Sequence, residues 1–390
     1  MSRRRVVVSG IGIVSPHGTD LDRFWDVVSA SPPAPVTTQI TGFSPRPLLD
    51  RREAARSDPF SQYAVHASVA ALADAGVDPA TVDARRGGVV LSTVYGGYEF
   101  VETEHARMAA EGPGSVSSYL SVAACENVAA SMVSAHVGWR GPSRVIVTAC
   151  AGGTHAVAEG ADLVAGGRLD VALAGGTQGR ITPLMMASYE NLRVLSPSGW
   201  LRPFDRRRDG FVFAEGSAVL VLEPLAAVRA RGGRIYAEVL GSGHTNDAGS
   251  MVRPTGSAAV ECIEDALADA GVDPGDVVHV NAHGTGTVIN DESEAEALHE
   301  VFGGRPPPTT SVKRILGHAA GASGAFEAAV VALTLHHGVL PSLGTDVEPD
   351  GSLGLDLVVG EPRPFEPGPV LSNSFGLGGA NGCLVLGPAT

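Results

Sequence analysis

The stretch ALADAGVDPATV, residues Ala71–Val82, returns as ALADAGVDPGDV, Ala266–Val277, at an offset of 195 residues, half of the 390-residue chain. Each copy closes a helical pattern with a glycine at the C-cap and a VDP turn, then feeds an apolar run. The first run is GGVVLST (Gly87–Thr93) and the second is VVHVNAHGTGT (Val277–Thr287). A match of this length predicts two halves of one βα design, neither large enough to function alone. Ala226–Arg234 is the expected joint, which divides the chain into residues 1–230 and 231–390.

Other strands are expected in RRVVVSGIGIVS near the start, SRVIVTAC before Cys150, LDVALAGGT (Leu169–Thr177), GSAVLVLEPL (Gly216–Leu225) and the terminal GCLVLG. Alanine-rich helices, GTHAVAEGADLVAGG and GAFEAAVVALTLHHG, lie between them. Apolar runs alternating with helices predict parallel-rich sheets covered on both faces. The proline-rich segment Ser31–Pro47 reads as a surface loop.

Composition narrows the function classes. A formal charge of −14 argues against nonspecific nucleic-acid binding. No apolar run approaches the roughly 20 residues that span a bilayer, and the basic start MSRRR leads into a first strand and not a signal peptide. Cys125, Cys150, Cys262 and Cys383 show no CxxC spacing, which argues against a zinc site or disulfide scaffold and for a reducing cytoplasm. Lys313 is the only lysine, against arginine at every other basic position, a bias expected of a GC-rich bacterial genome. A surface position would accept arginine freely, so Lys313 is expected to need an amine.

Four stretches place polar residues at strand ends or glycine turns. In VTACAGGTHAVAEG, Cys150 stands between an apolar strand and a helix start. It reads either as a thiolate-favouring nucleophile at a helix N-terminus or as a buried cysteine ending a core strand. Cys125, Cys262 and Cys383 sit in helical or strand patterns and read as core. NAHGTGTVINDESEAEAL sets His283 beside glycines with hydroxyls at Thr285 and Thr287, or is a plain strand-end histidine in a turn. SVKRILGHAAGASGAFEAA carries Lys313, His318 and Glu327, and SNSFGLGGANGCLVLG folds a glycine bend between two strands. GLGGAN lacks the following GK[ST] of a phosphate loop. One cysteine, two histidines and one lysine, with neither metal spacing nor a dinucleotide fingerprint, point to thiol-based acyl transfer or carbon–carbon bond chemistry.

These residues carry a resemblance. TAC ending at Cys150, NAHGTGT around His283, KRILGHAAGASG from Lys313 and NSFGLGGAN resemble the β-ketoacyl synthases, condensing enzymes of the thiolase superfamily, along essentially the whole chain. RPFDRRRDGFVFAEGSAVLVLE (Arg202–Glu223) belongs to the same likeness. The resemblance implies the duplicated α/β/α/β/α thiolase-like fold of five layers. It implies a free-standing ketosynthase of dissociated (type II) fatty-acid or polyketide synthesis, performing decarboxylative Claisen condensation with malonyl-acyl carrier protein. Cys150 is then the acyl-accepting nucleophile, and His283 and His318 stabilise the enolate. Lys313, paired with Glu327, braces His318. Backbone N–H groups of Cys150 and Leu377 form the oxyanion hole, beside Phe375. Thr285 and Thr287 bind the pantetheine arm and Asp291 braces their loop. No metal or resident cofactor is implied, because 4′-phosphopantetheine arrives on the carrier.

The chain departs from the family pattern in three places. Leu377 replaces the usual gating phenylalanine, so gating and chain-length preference change. TVIND replaces TPxGD, and Asn290 tolerates the left-handed conformation that glycine would supply, so the turn itself can survive. The region between Gly97 and Pro142 is shorter than in many members. Carrier docking is expected at Arg51, Arg52, Arg56 and Arg202, with part of Arg206–Asp209 in internal ion pairs. The family implies a homodimer, or a heterodimer with a ketosynthase-like subunit. Competing readings are an acyltransferase or unusual condensing enzyme that keeps acyl-Cys150 without decarboxylation, and a non-enzymatic chain-length-factor-like partner, which usually lacks the cysteine.

Overall fold

The computed structural model describes residues 3–33, 35–250 and 256–390. The strands are β1 (Val6–Val14), β2 (Gly87–Ser92), β3 (Ser143–Ile146), β4 (Val171–Gln178), β5 (Gly216–Pro224), β6 (Ala237–Asn246), β7 (His279–Asn281), β8 (Thr309–Thr310), β9 (Val339–Leu340), β10 (Arg363–Pro364), β11 (Val370–Phe375) and β12 (Ala380–Gly387). Ten of them run in the order β3-β2-β4-β5-β1-β6-β12-β11-β7-β8, while β9 and β10 form a separate ribbon. The order is symmetric about the β1–β6 contact. Either side of it, two antiparallel pairings lead outward to two parallel ones. In each half four strands share one direction and the fifth, β5 or β12, opposes them. The sheets are thus less parallel in their pairing than alternation alone suggests.

The repeated sequence does the same work twice. Helices Pro59–Ala75 and Ser257–Ala270 end at Gly76 (φ 64°) and Gly271 (φ 63°), left-handed positions that glycine occupies at little cost. Val77 then donates to Leu72 O at 3.0 Å, and Val272 to Leu267 O at 3.0 Å. Asp74 Oδ2 accepts from the Ile11 N–H of β1 at 2.9 Å, and Asp269 Oδ2 from the Ser242 N–H of β6 at 3.0 Å. A Cβ at Gly12 would lie 1.9 Å from Ala67 O, and one at Gly243 2.0 Å from Cys262 O. Each helix therefore rests directly on a strand backbone, and the aspartate ties down that strand's free N–H.

Helices alternate with the sheets. Pro59–Ala75 and Val128–Val137 cover the outer face of the first half, and Ser257–Ala270 and Val288–Val301 that of the second. Gly152–Ala165 and Ser323–His337 lie between the two halves of the ten-stranded order, in the largest apolar cluster. This is the five-layer arrangement. The second repeat feeds a strand of only three residues, because Gly284 (φ 41°) and Gly286 (φ 75°) turn the chain away from the ladder. β6 has no counterpart among the strands expected from sequence, since its AEVLGSGHTN mixes glycine and polar residues. Cys125 is exposed in the link between helices Leu120–Ala123 and Val128–Val137, outside either pattern expected for it. Residues 31–47 form no helix or strand at their described positions, all but Ala34. Met1 and Ser2, the start of the N-terminal stretch, also lie outside the described residues.

Candidate active site

Cys150 sits at a sharp elbow. β3 ends at Ile146, Ala149 takes φ 49°, and a 3₁₀ turn, Ala149–Ala151, runs into helix Gly152–Ala165. A positive φ at alanine costs energy and persists only where surrounding packing imposes it. The second central helix begins alike, with Ala320 at φ 43° and a 3₁₀ turn, Ala320–Ala322, before Ser323–His337. These two starts touch backbone to backbone. A Cβ at Gly153 would lie 2.5 Å from Ala325 N, and one at Gly324 2.5 Å from Thr154 N. The glycines of CAGG and GASG are what let the cysteine turn meet the Lys313–His318 segment.

The helix start favours the thiolate, as expected, but burial opposes it. Burial pushes Cys150 up to about 11, outweighing the Lys313 charge and the backbone N–H groups of Leu377 and Cys150 that favour the thiolate. The resting nucleophile is thus a neutral thiol facing its two N–H donors. Iodoacetamide alkylation of Cys150 is expected to rise about tenfold per pH unit from about pH 7 to 10. Peptide mass separates this from reaction at exposed Cys125, and a plateau at or below pH 8 contradicts the assignment.

Lys313 is 1% exposed. Its ammonium donates to Glu327 Oε1, to His283 O at 2.7 Å and to His283 Nδ1 at 3.2 Å, which uses all three protons. This corrects one expectation: Lys313 braces His283, not His318. His318 is held elsewhere, its Nδ1 accepting from the Ala320 N–H at 3.0 Å with Ser323 Oγ at 3.2 Å. In both rings Nδ1 is occupied as an acceptor, which leaves the proton on Nε2. Burial, reinforced by the Lys313 charge, pushes His318 down to about 3 and His283 well below the usual imidazole range. Two neutral N–H donors result, with ring centroids 5.7 Å apart. Glu327 is raised to about 7 by burial against the pull of Lys313, and accepts from Ser374 Oγ at 3.2 Å.

Cys150, His283, His318, Thr285, Thr287, Phe375 and Leu377 line one cavity of about 500 Å3. Leu377 is 39% exposed, at the bend between β11 and β12. Thr285 and Thr287 hydroxyls lie 3.0 Å apart, and Thr287 caps the following helix. Buried Asp291 accepts from the Phe204 N–H at 2.7 Å, the Gly286 N–H at 3.1 Å and Asn290 Nδ2 at 3.1 Å, which pins the threonine loop. Asn290 does not use the left-handed conformation it tolerates; it lies in the first turn of helix Val288–Val301, donating to Thr287 Oγ1. Arg51 and Arg52 are exposed on a short capped helix, and Arg56 lies over the Tyr119 ring at 4.1 Å. Arg202 stacks on Trp200 at 4.9 Å, its backbone 3.0 Å from where a Gly286 Cβ would stand. Arg206, Arg207 and Arg208 form ion pairs with Glu348, Asp205, Glu292 and Asp350.

Sequence reasoning missed several contributors. Buried Glu294 accepts from the His283 and Gly284 N–H groups, each at 2.8 Å, and so fixes the histidine turn. It was hidden among the acids of NDESEAEALHE. Phe211 and Phe213 pack on His318, with centroids at 5.1 and 6.1 Å. Tyr95 and Tyr189 hydrogen-bond each other in the cavity wall, although they lie 94 residues apart. Arg193, in a left-handed C-cap, also lines the cavity. Among the described residues, no group of three or more His, Cys, Asp or Glu is placed to hold a metal, and no helix is long and apolar enough to cross a membrane.

Comparison with known proteins agrees with this geometry. The model of the β-ketoacyl synthase N-terminal domain matches residues 46–227, and that of the C-terminal domain residues 236–344. The chain is 35% identical to 3-oxoacyl-acyl-carrier-protein synthase 2 of Coxiella burnetii and 34% identical to that of Vibrio cholerae, over 99% of each chain. A structure described as the ishigamide ketosynthase/chain length factor superposes with a TM-score of 0.94, at 31% identity and full coverage of both chains. A β-ketoacyl synthase from Burkholderia phymatum gives 0.90, at 30% identity, covering 99% of this chain and 100% of the other. With the thiolase-like layers, the cysteine elbow and both family models spanning most of its length, this chain belongs to the β-ketoacyl synthase family.

Proposed function

We propose that the protein extends an acyl chain on Cys150 by decarboxylative condensation with a malonyl thioester delivered by an acyl carrier protein. The carrying observation is that both imidazoles have Nδ1 occupied, which leaves Nε2 to bear the proton, and that both line the cavity that Cys150 lines. First, Sγ attacks the incoming thioester carbonyl. The Sγ–C bond forms, the pantetheine C–S bond breaks, and the thiol proton ends on the departing pantetheine sulfur. In the second step the malonyl carboxylate leaves as CO2, and its bonding pair becomes an enolate. The Nε2–H groups of His283 and His318 hold the enolate oxygen, where a water-poor cavity makes such bonds strong. The enolate carbon attacks the acyl-Cys150 carbonyl, whose oxyanion meets the Cys150 and Leu377 N–H groups. The Sγ–C bond then breaks, and the thiolate takes a proton from solvent.

The 4′-phosphopantetheine arm comes with the carrier, along Thr285 and Thr287. Arg51, Arg52, Arg56 and Arg202 are the proposed carrier contacts. A second ketosynthase-like subunit, the same or different, is proposed on the side of β3, an edge strand whose neighbour Val147 is 52% exposed. Two structural neighbours carry matching descriptions, one a ketosynthase/chain length factor and one a type II PKS acyl-carrier protein in complex with its ketosynthase. Four unpaired cysteines suit a reducing cytoplasm. The test is incubation with acyl-loaded and malonyl-loaded carrier protein, reading intact mass and CO2. One acyl adduct with CO2 release supports the reading. An adduct without CO2 points to simple acyl transfer, and no adduct with any donor points to a non-catalytic partner subunit.

A further inference from the structure

Tyr95 and Tyr189 come from distant parts of the chain and meet hydroxyl to hydroxyl in the wall of the Cys150 cavity. Tyr95 follows β2 and packs edge-on against Tyr98, with centroids 5.5 Å apart. Tyr189, on helix Pro183–Leu192, packs edge-on against Phe213 at 4.7 Å. Phe213 in turn leans on His318. The phenols are therefore held by aromatic contacts, in the wall of a cavity that Cys150 also lines.

The donors can be counted. Two phenols carry two O–H protons, and their mutual hydrogen bond uses one. The pair thus retains one O–H donor and spare lone pairs at the cavity surface, beside aromatic rings. A saturated acyl chain laid against that donor would strip its water and return no hydrogen bond. An acyl chain bearing an oxygen would satisfy it.

We propose that the Tyr95–Tyr189 pair selects acyl groups that carry a hydroxyl or carbonyl oxygen beyond the thioester, as the chain held on Cys150. This rests on the acyl-Cys150 reading above and names its substrate class. Sites built to hydrogen-bond a substrate oxygen discriminate strongly against analogues that lack it.

The test uses the whole protein and pantetheine thioesters of one length: hexanoyl, 3-hydroxyhexanoyl and 5-oxohexanoyl. Rates of acylation at Cys150 are followed by intact mass, with melting temperature as the check on folding. The better oxygenated donor is expected to exceed hexanoyl by at least about tenfold in kcat/KM. Either single phenylalanine variant still keeps one phenol with a free O–H, so the preference is expected to collapse only in the folded Tyr95→Phe/Tyr189→Phe double variant. Equal rates for the three donors in the wild type, or a preference undiminished in the double variant, overturn the proposal while leaving the acyl-thiol reading intact. No adduct from any donor overturns both.

Discussion

Cys150→Ala is expected to accept no acyl group and to lose condensation by at least about 10⁴-fold, the scale on which removal of a covalent nucleophile acts. Decarboxylation should behave differently. In the proposed mechanism the enolate donors are His283 and His318, whose Nδ1 atoms are held by Lys313 and by the Ala320 N–H and not by the thiol. The variant should therefore still release CO2 from malonyl-carrier protein while forming no carbon–carbon bond. Measuring CO2 and intact mass in the same samples separates the two steps. If CO2 release falls with acylation in Cys150→Ala, the histidines do not act as an independent pair.

Lys313→Arg is expected to lose about 100-fold or more of condensing activity in a folded protein. Three tetrahedral protons serve His283 O, His283 Nδ1 and Glu327 in a space that is almost wholly closed. A planar guanidinium on a longer stem cannot reproduce those directions. Without the donor at Nδ1, the His283 proton is free to move there, and Nε2–H is lost from the cavity. Lys313→Met is expected to cost about 3–5 kcal/mol of stability as well, since it leaves Glu327 buried without its counter-charge. Adding Glu327→Gln should recover the melting temperature but not CO2 release, which distinguishes positioning His283 from merely balancing a charge. Normal turnover in Lys313→Arg would refute the argument.

Local patterns exposed much of this molecule. Helix-stop chemistry at Gly76 and Gly271 and the aspartates beside them marked the duplication, because each copy must satisfy the same strand N–H. The lone lysine in an arginine-rich chain singled out Lys313, which is buried and donates to three acceptors. Its partner histidine was not legible. His318 is five residues away and His283 is thirty, yet the turn at Gly317 (φ 72°) carries His318 off to Ala320 and Ser323, while the end of β7 brings His283 over the ammonium. Glu294 escaped notice because five acids crowd positions 291–300, and only the fold shows that it, like Asp291, is buried.

By itself the sequence carried the two-fold βα plan and, through its motifs, the candidates Cys150, His283, His318 and Lys313 that the fold brings together. These follow from interactions between near neighbours and from side-chain chemistry that any fold must respect. Only the tertiary structure decided which nitrogen of each ring bears the proton, that the thiol rests protonated, and that Tyr95 meets Tyr189. Those properties arise from desolvation and from contacts between residues far apart in the chain, which no local spacing encodes.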